Sequence, residues 1–153
     1  KKKKIPVEAE EMLGTKLAQS KFPLRTGLHF EHRPGMCNFS VVGRNATMAE
    51  RKMYVAWDTD KNERVRIAKL FKKQFPTIEA LVGGETGIDI FPKGKDKAQI
   101  LDWIDGEIVF FGDRMDEDGN DYPLKKVIVD NNRGTCYHVN DYKETWEILR
   151  KYL

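Results

Sequence analysis

The sequence predicts an α/β protein in two parts: an α+β portion built on an antiparallel sheet, followed by part of a doubly wound, Rossmann-like parallel core. Three observations lead there. Residues 28–32 and 36–41 alternate with period two across Arg33-Pro34-Gly35, the pattern of a hairpin with one buried face. A second apolar pair, residues 80–82 and 88–91, flanks the turn Gly83-Gly84-Glu85-Thr86-Gly87. After Pro92 the order becomes helix, apolar strand, loop, which is the rhythm of a parallel sheet.

The elements follow in order. Residues 7–19 form an amphipathic helix through Val7, Met12, Leu13 and Leu17. Thr47-Met48-Ala49-Glu50 has the form of a capping box, so a helix opens near Ala49 and carries Arg51 in its first turn. Residues 62–75 place Val65, Ile67, Ala68, Leu70 and Phe71 among lysines until Pro76 stops the helix. A boundary between Pro92 and Lys95 divides residues 1–92 from residues 93–153. In the second part a helix over 96–104 leads to an apolar strand at 107–111 and a further strand at 127–129. Asp141-x-x-Glu144 then opens a terminal helix. Phe110, Phe111, Trp103, Trp146 and Tyr152 fall in apolar-periodic segments and are expected in the core.

Composition excludes several functions. The chain of 153 residues has a net charge of +3, but Lys1 to Lys4 supply all of that excess. Nucleic acid is therefore not an expected partner. No apolar run approaches the ~18 residues of a membrane span, and no signal core follows the lysines. Cys37 and Cys136 are far apart and have no neighbours at metal-ligand spacing, which predicts reduced thiols and a cytoplasmic location. His29, His32 and His138 are scattered, and alternation puts His29 opposite Phe30, toward solvent. There is no P-loop and no Gly-x-Ser-x-Gly.

Three groups of residues can carry chemistry. A buried strand ending in Gly112-Asp113 delivers a carboxylate to the carboxyl edge of a sheet, where open α/β folds bind ligands. Asp116, Glu117, Asp118 and Asp121 follow, so the segment is either a Mg²⁺ site or an acidic surface turn. Lys93, Lys95 and Lys97 lie upstream, and nothing local selects Lys97 among them. Arg33, Arg44 and Arg51 suit a phosphate, because guanidinium forks bind it bidentately. Arg51 is unusual for stability alone, since the helix dipole favours acids in a first turn. Against this stands the ordinary frequency of surface arginines.

Together these residues resemble the carboxyl-terminal part of eukaryotic-type phosphomannomutase, in the haloacid dehalogenase superfamily. The resemblance runs from about Lys21 to the end in three blocks. The first is Glu31-x-Arg33-x-Gly35-Met36-x-Asn38-x-Ser40-x-x-Gly43-Arg44 with Glu50-Arg51. The second is Asp89-x-Phe91-Pro92-x-Gly94-x-Asp96-Lys97. The third is Phe110-Phe111-Gly112-Asp113 with Gly119-Asn120-Asp121.

The resemblance implies an α/β cap domain over residues 1–92 and the carboxyl-terminal half of a haloacid dehalogenase-type core over residues 93–153. It assigns Arg33, Arg44 and Arg51 to the distal phosphate of a hexose phosphate and Asp89 to the sugar. Gly87 stands where the family has Ser, with Thr86 as a candidate substitute. Lys97 matches the catalytic lysine that steadies the nucleophile and the transferring phosphoryl group. Asp113 matches the Mg²⁺ carboxylate, with Asn120 and Asp121 supporting the same loop. It further implies a homodimer through the cap and a role in supplying GDP-mannose.

The implied reaction interconverts hexose 1-phosphate and 6-phosphate, mannose phosphate first, through an aspartyl-phosphate. The superfamily's nucleophile motif, Asp-x-Asp-x-Thr/Val at a strand end, is absent, and Asp58-Thr59-Asp60 reads as an inter-helix turn. The nucleophile is expected upstream of Lys1, in an amino-terminal core segment or another chain, so this chain alone is expected to be inactive. The alternatives are a Mg²⁺-dependent sugar-phosphate phosphatase and a non-catalytic module that binds sugar phosphates or dimerises.

Overall fold

A computed structural model describes residues 5–152; the four-lysine start lies outside them. The fold is mixed α/β and divides into two compact units between Gly94 and Lys95. The first contains α1 (Val7–Gln19), β1 (Phe30–Arg33), β2 (Met36–Ser40), α2 (Met48–Lys61), α3 (Glu63–Gln74), β3 (Ile78–Gly83) and β4 (Gly87–Pro92). The second contains a 3-10 helix (Lys97–Trp103), β5 (Ile108–Gly112), α4 (Tyr122–Asp130), β6 (Gly134–His138) and α5 (Tyr142–Leu149). Among the described residues no helix is long and apolar enough to cross a membrane.

The first unit is an antiparallel sheet in the order β1-β2-β4-β3 with helices on one face. Alternation decides which face. Phe39 of β2 pairs with Phe30 and Ile88, and these residues, with Ile90 and Ala80, pack against Leu13, Tyr54, Ile67, Ala68 and Phe71 of the helices. The opposite phase puts Glu31, Asn38 and Asp89 in one cross-strand row on the other face. The first strand starts at Phe30 rather than residue 28. Gly27 and Leu28 have φ of 89° and 46°, which breaks the extended run and leaves Leu28 exposed. His29 is half-buried, not in solvent, because its Nδ1 lies 2.9 Å from the Ser40 carbonyl.

The capping box forms as its residues predict. The Thr47 N–H donates to Glu50 Oε2 at 2.7 Å, and Glu50 N–H donates to Thr47 Oγ1 at 3.3 Å. Between α2 and α3 the chain turns at Asn62 in the left-handed region, φ 53°. Asp58 occupies that junction: its carboxylate accepts from the Arg64 N–H and from Arg64 Nε, both at 2.8 Å. The Arg64 Nη1 continues to the carbonyls of Gly84 and Gly87, at 3.1 and 3.2 Å. Glu63 accepts from Tyr54 Oη at 3.1 Å and from Ser20 Oγ at 2.6 Å. Burial and the Glu63 and Asp58 charges push the Tyr54 phenol above its ordinary range.

The second unit departs from expectation in three places. Residues 127–129 belong to α4, and the parallel partner of β5 is β6. Val127-Ile128-Val129 is β-branched throughout, but Leu124 and the buried Ile128 stand one helical turn apart. Pro123 sits in the first turn, where its missing N–H is not needed. Residues 97–103 form a 3-10 helix instead of an α-helix, with Asp96 Oδ1 accepting from the Ala98 N–H at 2.8 Å. Finally, Trp103, Trp146 and Tyr152 are 87, 54 and 63% exposed, and Phe110 and Phe111 only half-buried. Periodicity marks an apolar face without telling what covers it.

Both cysteines are free thiols, Cys37 buried on β2 and Cys136 half-buried on β6. Burial raises the Cys37 thiol to about 11.

Candidate functional site

The polar face of the first sheet gathers the arginines. Glu31 and Arg33 are two residues apart on β1 and therefore share this face. Arg33 Nε and Nη2 donate to Glu31 Oε1 at 3.0 and 2.9 Å. Arg44 Nε lies 2.7 Å from Glu31 Oε2. One carboxylate thus ties two guanidinium groups whose α-carbons come from different segments. The Arg33 hydrogen bond, followed by the Arg44 and Arg33 charges, holds the Glu31 carboxyl below its usual range.

Arg51 joins them differently. Its Nε donates to the Ala46 carbonyl and its Nη2 to the Arg44 carbonyl, both at 3.1 Å. The side chain therefore points back along the segment that precedes α2, which accounts for a cation in a first helical turn without any ligand. Arg51 fastens the backbone of Arg44.

Asp89 lies across from Asn38 in the register, and Asn38 Nδ2 donates to its Oδ1 at 2.8 Å. Gly87 is two residues earlier on the same face. Thr86 does not offer a replacement hydroxyl to the surface: it is buried, and its Oγ1 accepts from Ser40 Oγ at 3.3 Å.

In the second unit the carboxyl end of β5 carries the other predicted residues. Asp121 is 3% exposed, ion-paired through Oδ1 to Lys97, and accepts the Arg114 N–H on Oδ2 at 3.1 Å. A Cβ at Gly112 would come within 2.7 Å of that Oδ2, so glycine makes room for the carboxylate. The structure thus selects Lys97, which local sequence could not. Asp113 follows β5 and is exposed, and Asn120 is half-buried beside Asp121. Asp116 serves a turn: its carbonyl accepts from the Gly119 N–H at 2.9 Å and its Oδ1 from the Asp118 N–H at 3.2 Å.

Among the described residues no group of three or more His, Cys, Asp or Glu is arranged to hold a metal. Asp113 is one exposed hard-oxygen donor, while Asp121 is engaged by Lys97 and the Arg114 N–H. This donor set fits a Mg²⁺ that takes one carboxylate here and completes its shell with water and phosphate oxygens. It does not make a closed cage.

Sequence reasoning gave Glu31, Asn38 and Arg64 no separate weight. Glu31 carried a usable signal, the acid two residues before Arg33 on one strand face. Asn38 carried a weaker one, a polar side chain in the solvent phase of β2. Arg64 gave none, because its partners come from Asp58 and a turn twenty residues later.

Comparison with known proteins agrees with this architecture. The family model for eukaryotic phosphomannomutase matches residues 11–153. A Drosophila melanogaster phosphomannomutase is 33% identical over 144 residues, covering 90% of this chain and 55% of its own length. A Saccharomyces cerevisiae phosphomannomutase is 38% identical over 114 residues, covering 71% of this chain and 45% of itself. An Arabidopsis thaliana phosphomannomutase is 35% identical over 112 residues, with 71 and 46% covered. The chain spans about half the length of the curated relatives it matches. Among solved structures, an IMP-bound Plasmodium falciparum IMP-nucleotidase mutant superposes with a TM-score of 0.53 at 19% identity, covering 97% of this chain and 39% of that one; this likeness concerns fold alone. On the family match and these relatives, the chain belongs to the eukaryotic phosphomannomutase family.

Proposed function

We propose that the chain is part of a phosphomannomutase-like phosphotransferase that interconverts hexose 1-phosphate and hexose 6-phosphate, with mannose phosphate as the first candidate. The observation that carries this reading is the joining of Arg33 and Arg44 through Glu31, with Arg51 fastened to the Arg44 carbonyl, on the sheet face that also carries Asp89. A mutase must hold either phosphate end of its substrate, which calls for a guanidinium cluster of this kind in addition to the Lys97–Asp121 pair. A simple phosphatase does not require it.

In this reading Arg33 and Arg44 hold the distal phosphate and Asp89 accepts from sugar hydroxyls. Lys97, kept in place by Asp121, neutralises the phosphoryl group. A Mg²⁺ bound through Asp113 would supply further charge neutralisation. In this reading the nucleophilic aspartate comes from outside these 153 residues, because the sequence contains no Asp-x-Asp-x-Thr/Val. Pairing of two caps and a cytoplasmic location belong to the same proposal.

The test is to purify the protein natively, determine the mass and partners of what is obtained, and assay it with mannose 1-phosphate, Mg²⁺ and a hexose bisphosphate. Isomerisation is expected when the nucleophile-bearing segment is present, and Asp113→Ala or Arg44→Ala should each lower it by about a hundredfold or more. Phosphate release without isomerisation would replace the mutase with a phosphatase. An inert assembly that contains the nucleophile would overturn both.

A further inference from the structure

Leu28 holds a conformation that its own side chain does not explain. Its φ of 46° is a costly torsion for leucine, yet the side chain is exposed, so burial does not offset the strain. Gly27 before it is left-handed too, at φ 89°. Continued regularly, the Phe30–Phe39 register would set Leu28 across from Val41. Instead the Leu28 carbonyl accepts from the Arg44 N–H at 3.0 Å. Two left-handed residues in succession thus turn a backbone carbonyl toward Arg44.

The segment that leads to Arg44 is gripped from both sides. Thr26 closes on Val42: its N–H and its Oγ1 both donate to the Val42 carbonyl, at 2.9 and 2.7 Å. Gly43 has φ 94°, and a Cβ there would lie 2.3 Å from the Gly27 carbonyl oxygen, so the two backbones touch. From the core side, Ser40 Oγ accepts from the Gly43 N–H at 3.2 Å and donates to Thr86 Oγ1 at 3.3 Å. Ser40 and Gly43 are both buried, so loss of that hydroxyl strands an N–H away from water.

We propose that Thr26 and Ser40 are positioning residues for Arg44, Thr26 through the strained strap over residues 26–28 and Ser40 through the Gly43 N–H. Ser40 is buried and Thr26 Oγ1 is turned to Val42, so both act through Arg44 and not on an anion. With the Arg44 N–H held by Leu28, its carbonyl by Arg51 and its Nε by Glu31, the guanidinium is set in place before a phosphate arrives. This inference rests on the phosphate role given to Arg44 above.

The experiment is calorimetric titration of the natively purified protein with inorganic phosphate. Ser40→Ala should weaken binding about tenfold and Thr26→Val about threefold. Tyr54→Phe removes another buried hydroxyl bond, the one to Glu63, and should change the affinity by less than about twofold. Arg44→Lys keeps a cation and loses the fork; in that background Ser40→Ala should cost less than about twofold. Hydrogen exchange without ligand reads the placement directly: Ser40→Ala and Thr26→Val should each speed exchange of the Arg44 amide. An unchanged Arg44 amide, a loss on Tyr54→Phe equal to that on Ser40→Ala, or a full tenfold loss in the Arg44→Lys background would each overturn the proposal. If the unaltered protein does not bind phosphate, the functional reading fails separately, and the Arg44 exchange rate alone decides the placement.

Discussion

Glu31 governs the arginine cluster at the scale of single residues. Its carboxyl, held low by Arg33 and Arg44, contributes stability above the ordinary carboxylate range and loses it as pH falls through the depressed value. The pairs are partly exposed, so replacement should cost little: Glu31→Gln is expected to lower the urea midpoint only slightly. Its larger effect is on charge. With the shared counter-ion removed, Arg33 and Arg44 should bind sulfate more tightly at neutral pH, and the gain should shrink with added salt. Isothermal titration at two ionic strengths checks this; a weaker sulfate affinity would show that Glu31 matters for orientation more than for charge. The arginines stood out by residue type and position, whereas Asp89 was singled out only by the family resemblance. Lys97 was not distinguishable from Lys93 and Lys95, because its partner Asp121 lies 24 positions further along. Asn38 was visible as a polar residue on a strand, but its bond to Asp89 exists only once β2 and β4 are paired.

Among the elements, the junction of α2 and α3 holds the sheet turn that leads to Gly87. Asp58 and Arg64 are both buried, and Arg64 spans the junction and the β3–β4 turn. Arg64→Ala leaves a buried carboxylate unpaired and should cost about 3–5 kcal/mol, read as a fall in the urea midpoint. Arg64→Lys keeps the charge and loses the planar fork, so it should fall between the two. An unchanged midpoint for Arg64→Ala would mean that Asp58 finds another partner. Elements with strong local grammar were readable: both hairpins, the Thr47–Glu50 cap, and α3 up to Pro76. Residues 127–129 were misread because three β-branched residues outweigh a short helical repeat when only the sequence is in view. Leu124 and Ile128 settle it by burial, a tertiary quantity. The left-handed Leu28 that delays β1 has no signature in residue type, since leucine seldom adopts that conformation.

Over the whole molecule, the change of grammar after Pro92 was legible because apolar strands and alternating strands differ in composition. The exposure of Trp103 and Trp146 was not, because burial depends on what packs against a face rather than on the face itself. The presence of one cysteine in each unit has a practical consequence. An aromatic disulfide reagent at mild alkaline pH should react in two separate phases. Cys136, half-buried, reacts first. Cys37 is wholly buried, and its thiol, raised to about 11, stays protonated until the first unit opens. The slow phase should therefore quicken with low urea while the fast phase barely changes, and Cys37→Ser should delete the slow phase alone. The protein thus carries its own clock for the opening of the first unit, with no label needing to be introduced.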